Sequence, residues 1–209
     1  PIGLTLLAEV GLFAASSVMM GWLGEIPLAA HGIALQIASL TFMIPLGLSQ
    51  AVTVRVGRAH GRRDAEELHA AALAGMLLAG VAVIATITAF LTIPGFLIGL
   101  FVDPTDPARP AILATGVSLL AVAALFQLVD FGQVMALGML RGVQDTRVPM
   151  IMALVSYWLI GLPVSYVMGF ELGLGGVGVW LGLTVGLAAA CIGMQTRFWT
   201  RYPATPRRS

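Results

Sequence analysis

The sequence has no lysine, one cysteine and few charges. All eleven basic residues are arginine, and only 10% of the 209 residues are charged, against about 25% in soluble proteins. A nucleic-acid footprint would gather those arginines on a polar domain, and the sequence has no such domain, so no nucleic-acid partner is expected. Cys191 stands alone, which excludes an intramolecular disulfide and a cysteine-based metal cluster. Its apolar surroundings read as those of a small packed hydrophobe. His31, His60 and His69 are dispersed and no HExxH occurs, so no resident metal is expected. No GxxxxGK[ST] is present either, so the chain is not expected to draw on ATP directly. The chain starts at Pro1, with no basic segment before its first apolar run. No signal peptide is expected there, and a piece of a longer protein is the simplest reading.

What the sequence has instead is apolar length. Hydrophobic residues make up 58% and the mean hydropathy is +0.95. A soluble domain of this size still needs a charged surface, so the excess is expected to face lipid. A membrane span takes about 20 apolar residues. Six stretches qualify: about 2–24, 29–54, 72–101, 111–140, 149–169 and 176–199. Pro45 and Pro163 fall inside the second and fifth, and Pro94-Gly95 interrupts the third. The predicted fold is an all-α integral membrane protein, residues 1–209 forming a single six-helix transmembrane bundle. Gly178, Gly182 and Gly186 recur every fourth residue, a spacing that lets helices approach closely in lipid. The polar stretch Arg55–His69 reads as a solvated connector. Within it, Arg62–Glu66 and Arg63–Glu67 at i, i+4 suit a short surface helix.

Charge then orients the bundle. With loops alternating between sides, one side collects Arg55, Arg58, Arg62, Arg63, Arg141, Arg147, Arg197, Arg201, Arg207 and Arg208; the other has Arg109 alone. By the positive-inside rule, both ends of the chain are expected in the cytoplasm, and the protein is expected to be multi-pass in the cell inner (plasma) membrane.

Two carboxylates lie inside the spans, Glu9 in the first and Asp130 in the fourth. An acid in hydrocarbon is costly and marks a functional site by default. Glu9 is about 22 Å and Asp130 about 27 Å from the outer ends of their spans, at ~1.5 Å per residue, so a shared site is geometrically open. Every arginine lies in or beside a loop, so a buried ion pair within this chain is hard to build. Each acid is therefore expected to be protonated, to bind a mobile cation, or to pair with a part of the protein outside this chain. Neither acid sits in the GxGD context of an intramembrane aspartyl protease, and no enzyme activity is expected. Phe126, Gln127 and Gln133 lie one turn from Asp130, and Gln36 adds an amide from the second span. Together they predict a cavity wall with an aromatic face for small organic cations.

Several stretches, in order and over nearly the whole chain, resemble the C-terminal half of the multidrug and toxic compound extrusion (MATE) transporters. They are AEVGLFAASSVMMGWLG, LAAHGIALQI, FMIPLGLSQAVTVRVGRAHG, LFVDP and FQLVDFGQVMALGMLRGVQDTRVPM. RVGRAHG and LRGVQDTRVPM are the most specific. The resemblance implies one lobe, helices seven to twelve, of a twelve-helix two-lobe transporter whose N-terminal lobe is absent from this chain. It implies secondary active multidrug efflux, exporting cationic amphipathic compounds by antiport with protons or sodium ions, with no cofactor beyond the coupling ion. In the NorM-like branch, acids of the seventh and tenth helices form a cation site, and Glu9 and Asp130 occupy those motif positions. A transient sodium at the pair is thus an expectation. Some members carry a tyrosine one turn before the tenth-helix acid. Phe126 stands there in this chain and brings no hydroxyl, so protons stay open as the coupling ion. Two alternatives are weighed: a flippase for lipid-linked precursors, and a non-transporting scaffold or channel subunit. The first calls for basic residues in the cavity, and this chain places none there. The second leaves the unpaired acids unexplained.

Overall fold

The computed structural model describes residues 2–202. Pro1, Arg207 and Arg208, used above, lie outside them. The chain runs through α1 (Ile2–Leu23), α2 (Glu25–Gly61), α3 (Ala65–Thr92), α4 (Pro94–Gly99), α5 (Arg109–Gly142), α6 (Arg147–Leu154), α7 (Leu162–Tyr166) and α8 (Gly175–Arg201). Two π-helical stretches, Val155–Gly161 and Val167–Glu171, flank α7 and join it to α6 as one continuous rod. Among the described residues, six helices are thus long and apolar enough to cross a membrane. Their outward faces are apolar too: Leu7, Leu77, Val81, Leu159 and Ile192 are each more than 65% exposed. Water cannot host such a surface at this extent, and hydrocarbon can.

Each break between helices has a local cause. Gly24 has φ +127 between α1 and α2, a region that favours glycine. Helix α2 then starts at Glu25, earlier than the apolar run suggests. Pro27 fits in a first turn, where its missing N–H costs nothing, and Glu25 suits the positive end of the helix dipole. At its other end α2 continues past the apolar stretch to Gly61, carrying Arg55 and Arg58. The polar stretch does not make a helix of its own: residues 62–64 form the turn, and residues 65–69 are the first turn of α3. Arg63 takes φ +58, and Asp64 caps α3 by accepting from the Glu67 N–H at 2.9 Å. The pair that forms is Arg62–Glu67 rather than either i, i+4 pair. Pro94 forces Ile93 out of the helical region, with φ −128 and ψ 38, so the third span ends there and a short helix restarts. In the loop that follows, Asp103 accepts from the Thr105 N–H at 2.8 Å and its hydroxyl at 2.6 Å. Those bonds hold the Asp103 carboxyl below its ordinary range.

Helix α5 is the axis of the bundle, packed against α2, α3, α4 and α8. Near its arginine-bearing end it meets α2 almost backbone to backbone. Ser49 Oγ donates to the Val134 carbonyl at 2.8 Å, and Thr53 Oγ1 donates to the Gly138 carbonyl at 2.9 Å. A Cβ on Gly138 would come within 2.7 Å of the Ser49 carbonyl oxygen. A second seam joins the α6–α7 rod to α8. Gly161, Ser165 and Gly169 face Gly186, Gly182 and Gly178, and a Cβ on Gly186 would come within 2.6 Å of the Gly161 Cα. Ser165 Oγ donates across it to the Val179 carbonyl at 3.0 Å. The glycine stripe read from the sequence is this packing surface. Arg197 Nε donates to Asp145 at 2.6 Å, tying the turn after α5 to the end of α8.

Candidate functional site

The two membrane acids share one cavity. Glu9 projects from α1 and Asp130 from the middle of α5, and both line a space of about 50 Å³. Helix α2 closes it with Leu35, Ser39 and Phe42, three positions on one helical face. Phe13, one turn beyond Glu9, and Phe126, one turn before Asp130, complete the wall. They meet edge to face with ring centroids 6.0 Å apart. Asp130 is 6% exposed and Glu9 is half-buried. The ion pairs among the described residues are Arg62–Glu67 and Arg197–Asp145. Neither membrane acid takes part in one, and no hydrogen bond to either is formed among the described residues. A cavity of this size holds a few waters or one small cation. It is far below the roughly 300–1,000 Å³ of drug-sized sites.

Among the arginines of the described residues, Arg141 is the one whose charge acts on a membrane acid. Arg141, in the last turn of α5, is half-buried, and its charge and that of Glu9 act on each other. The reason is reach. Glu9 lies only about two turns from the start of α1, and an arginine side chain is long enough to extend inward from a helix end. The two still make no direct ion pair.

The remaining predicted residues separate. Phe126 lines the cavity and also packs on Trp180, with centroids 5.5 Å apart. Gln127 turns toward α2, donating to the Ala38 carbonyl at 2.9 Å and to Thr41 Oγ1 at 2.5 Å. Gln133 is buried and donates through Nε2 to the Tyr157 hydroxyl. Both amides are thus helix-to-helix bonds. Gln36 is exposed on α2 and is absent from the cavity wall. Sequence reasoning missed Ser39, Phe13 and Phe42. The signal for Phe13 was its i+4 spacing from Glu9; the signal for Ser39 and Phe42 was the phase of α2, which needs its neighbours to be known.

Beside the cavity lies a chain of neutral hydrogen bonds. Trp180 Nε1–H donates to His31 Nδ1 at 3.1 Å. This leaves Nε2–H of His31 to donate to Ser17 Oγ at 3.1 Å, which passes its own proton to the Phe13 carbonyl at 3.1 Å. Both ring nitrogens are used, so His31 on α2 acts as a structural bridge between Ser17 on α1 and Trp180 on α8, the ring that packs on Phe126.

Comparison with known proteins agrees with this architecture. The chain is 50% identical over 199 residues to a protein of Agrobacterium fabrum named "Probable multidrug resistance protein NorM", covering 95% of this chain and 43% of that protein. It is 47% identical over 213 residues to a protein of the same name from Rhizobium meliloti, covering 100% and 45%. The chain therefore spans less than half the length of these relatives. Among solved structures, an outward-facing multidrug resistance MATE family transporter superposes with a TM-score of 0.82 at 23% identity, over 96% of this chain and 43% of that one. A MATE structure in the straight conformation gives 0.85 at 21% identity, over 96% and 44%. The MatE family model matches residues 1–167, and the chain belongs to the MatE family of multidrug transporters.

Proposed function

We propose that this chain is the ion-coupling lobe of a secondary active exporter. It would move cationic, amphipathic compounds out of the cell in antiport with protons or sodium ions, together with an N-terminal lobe that this chain lacks. The observation that carries the reading is the pairing of Glu9 and Asp130, from two different helices, in one cavity with no counter-charge bonded to either. Two unpaired carboxylates so close in low dielectric repel each other. A proton or a small cation between them relieves that repulsion. The roughly 50 Å³ cavity suits such an ion, and an organic cargo would lie in the larger space expected between two lobes.

Coupling follows from that chemistry. Occupied, the pair draws α1 and α5 together; empty, it pushes them apart. An ion can shift an inward–outward equilibrium only by the difference in its affinity for the two states, and a pair on two helices supplies that difference. The arginine-bearing end of the bundle faces the cytoplasm in this reading, and the plasma membrane is its site. The test is energised efflux of a fluorescent organic cation by the full-length parent in an efflux-deficient host, at equal expression. Wild type exports and Asp130→Asn does not; equal export by both would remove the pair from the mechanism.

A further inference from the structure

The connector between α2 and α3, which carries the end of the RVGRAHG motif, has no part in the acid cavity. With the end of α8 it encloses a crevice of about 220 Å³, lined by His60, Arg63, Asp64, His69 and Tyr202 together with two apolar side chains. The backbone is unusual at one of these residues. Helix α2 closes with the Asp64 N–H donating to the Ala59 carbonyl and the Arg63 N–H donating to the His60 carbonyl, both at 3.0 Å. This paired closure usually carries glycine at its left-handed position. Arg63 stands there instead, with φ +58. A residue with a Cβ is disfavoured in that region, so the turn itself does not account for an arginine.

The polar groups around the crevice divide into engaged and unengaged. Arg62 is held by Glu67, whereas Arg63 enters no ion pair among the described residues. Among the described residues no hydrogen bond engages the Arg63 guanidinium, the His60 ring or the Tyr202 hydroxyl; His60 and Tyr202 meet edge to face, with centroids 5.9 Å apart. Asp64 is engaged, its Oδ1 accepting from the Glu67 N–H, where the helix dipole offsets its charge. His69 is engaged too, Nδ1–H donating to the Ala65 carbonyl at 3.0 Å and the ring packing on Trp199. A guanidinium, an imidazole and a phenol are left as donors. Depth adds a second constraint. The apolar runs of α3 and α8 end near Ala72 and Trp199. Leu68 and Tyr202 therefore lie about 5 Å beyond them at ~1.5 Å per residue, at the level of lipid headgroups. Trp199 and Tyr202 suit that level by residue type.

We propose that this crevice binds the headgroup of an acidic phospholipid from the leaflet at the arginine-bearing end. The lipid phosphate accepts from the forked N–H donors of Arg63, with His60 and Tyr202 donating beside it. The acyl chains follow α3 into the membrane. Leu73 and Leu77 stand one and two turns from His69 on the same face of that helix, and both are more than half exposed. A net negative headgroup is favoured over a zwitterionic one. Arg58 and Arg201, in the last turns of α2 and α8, are exposed and enter no ion pair among the described residues, and basic clusters at this depth attract anionic lipid.

The experiment titrates lipid onto detergent-purified full-length parent and reads the bound species by native mass spectrometry. Phosphatidylglycerol is compared with phosphatidylcholine and phosphatidylethanolamine. Wild type should hold one phosphatidylglycerol that Arg63→Gly holds about tenfold more weakly, the size expected for hydrogen bonds to a charged group. Lipid sites elsewhere on the parent cancel in that difference. Arg63→Gly also relieves the left-handed backbone, so its lipid-free Tm should be no lower than that of wild type. Tyr202→Phe keeps the ring and should weaken the same lipid by a smaller factor. Arg58→Ala removes an exposed arginine outside the crevice and should leave the affinity within about twofold of wild type. Wild-type affinity in Arg63→Gly overturns the proposal. A lipid-free Tm well below wild type in that variant also overturns it, by making the arginine structural. An equal loss in Arg58→Ala does the same, by making the attraction a diffuse property of the rim, as does equal affinity for the zwitterionic lipids. Inorganic phosphate tests the source. If phosphate alone raises the Tm of lipid-free wild type as far as phosphatidylglycerol does, the crevice takes an anion from solution and the lipid assignment falls.

Discussion

Two seams in this bundle are built on opposite terms. Between the α6–α7 rod and α8, glycines meet glycines and a serine, backbones nearly touch, and the Ser165 hydroxyl is bonded across the contact. Between α1, α2 and α5, the facing side chains are two carboxylates, a serine, three aromatic rings and two aliphatic groups around an open cavity. Burial singles out α8, with 56% of its membrane window buried against 33% for α1 and 28% for the α6–α7 rod. Close packing with satisfied polar atoms makes a seam rigid. Unpaired charge beside a cavity makes one that can change. The lobe thus places its stiff joint away from its acids and leaves the acid-bearing helix α1 lightly held.

Substitutions can break or sharpen this contrast. The largest effect is expected at the soft seam's chemistry. Asp130→Asn, nearly isosteric, should abolish ion-driven efflux, a loss of at least about a hundredfold if the pair is the sole coupling site, while detergent-extracted protein stays monodisperse by size exclusion. Glu9→Gln should behave alike. At the stiff seam the expected loss is of folding. Gly182→Leu places a side chain against the Ser165 backbone and should cost about 3 kcal/mol or more, read as a collapsed yield or a lowered Tm. A smaller effect is expected where the soft seam is clamped. Gln127→Leu removes the bonds to Ala38 and Thr41 and should cost about 1 kcal/mol with ion dependence unchanged. The smallest belongs to neither seam. Arg62→Ala breaks an exposed pair and should shift stability by less than about 1 kcal/mol.

The six-helix architecture was legible because lipid imposes a length on apolar runs. The ends of α2 were not. Glu25 and Arg58 are polar, so hydropathy stops short of them, while the backbone continues as helix through the interface. The acids stood out because a charge in an apolar run has no bland explanation. Gln36 was harder. It sits one residue from Leu35 on α2, about 100° round the helix, and Leu35 lines the cavity while Gln36 does not; only the neighbours decide that phase.

The most direct test of the shared carboxylate pair is a binding competition on purified full-length parent. A fluorescent organic cation is bound at equilibrium, and sodium or protons are titrated in. The account predicts that one of these ions displaces the cargo from wild type, and that neither does so from Asp130→Asn or Glu9→Gln. Displacement with wild-type midpoints in both variants would contradict it, and would move the coupling ion to some other site.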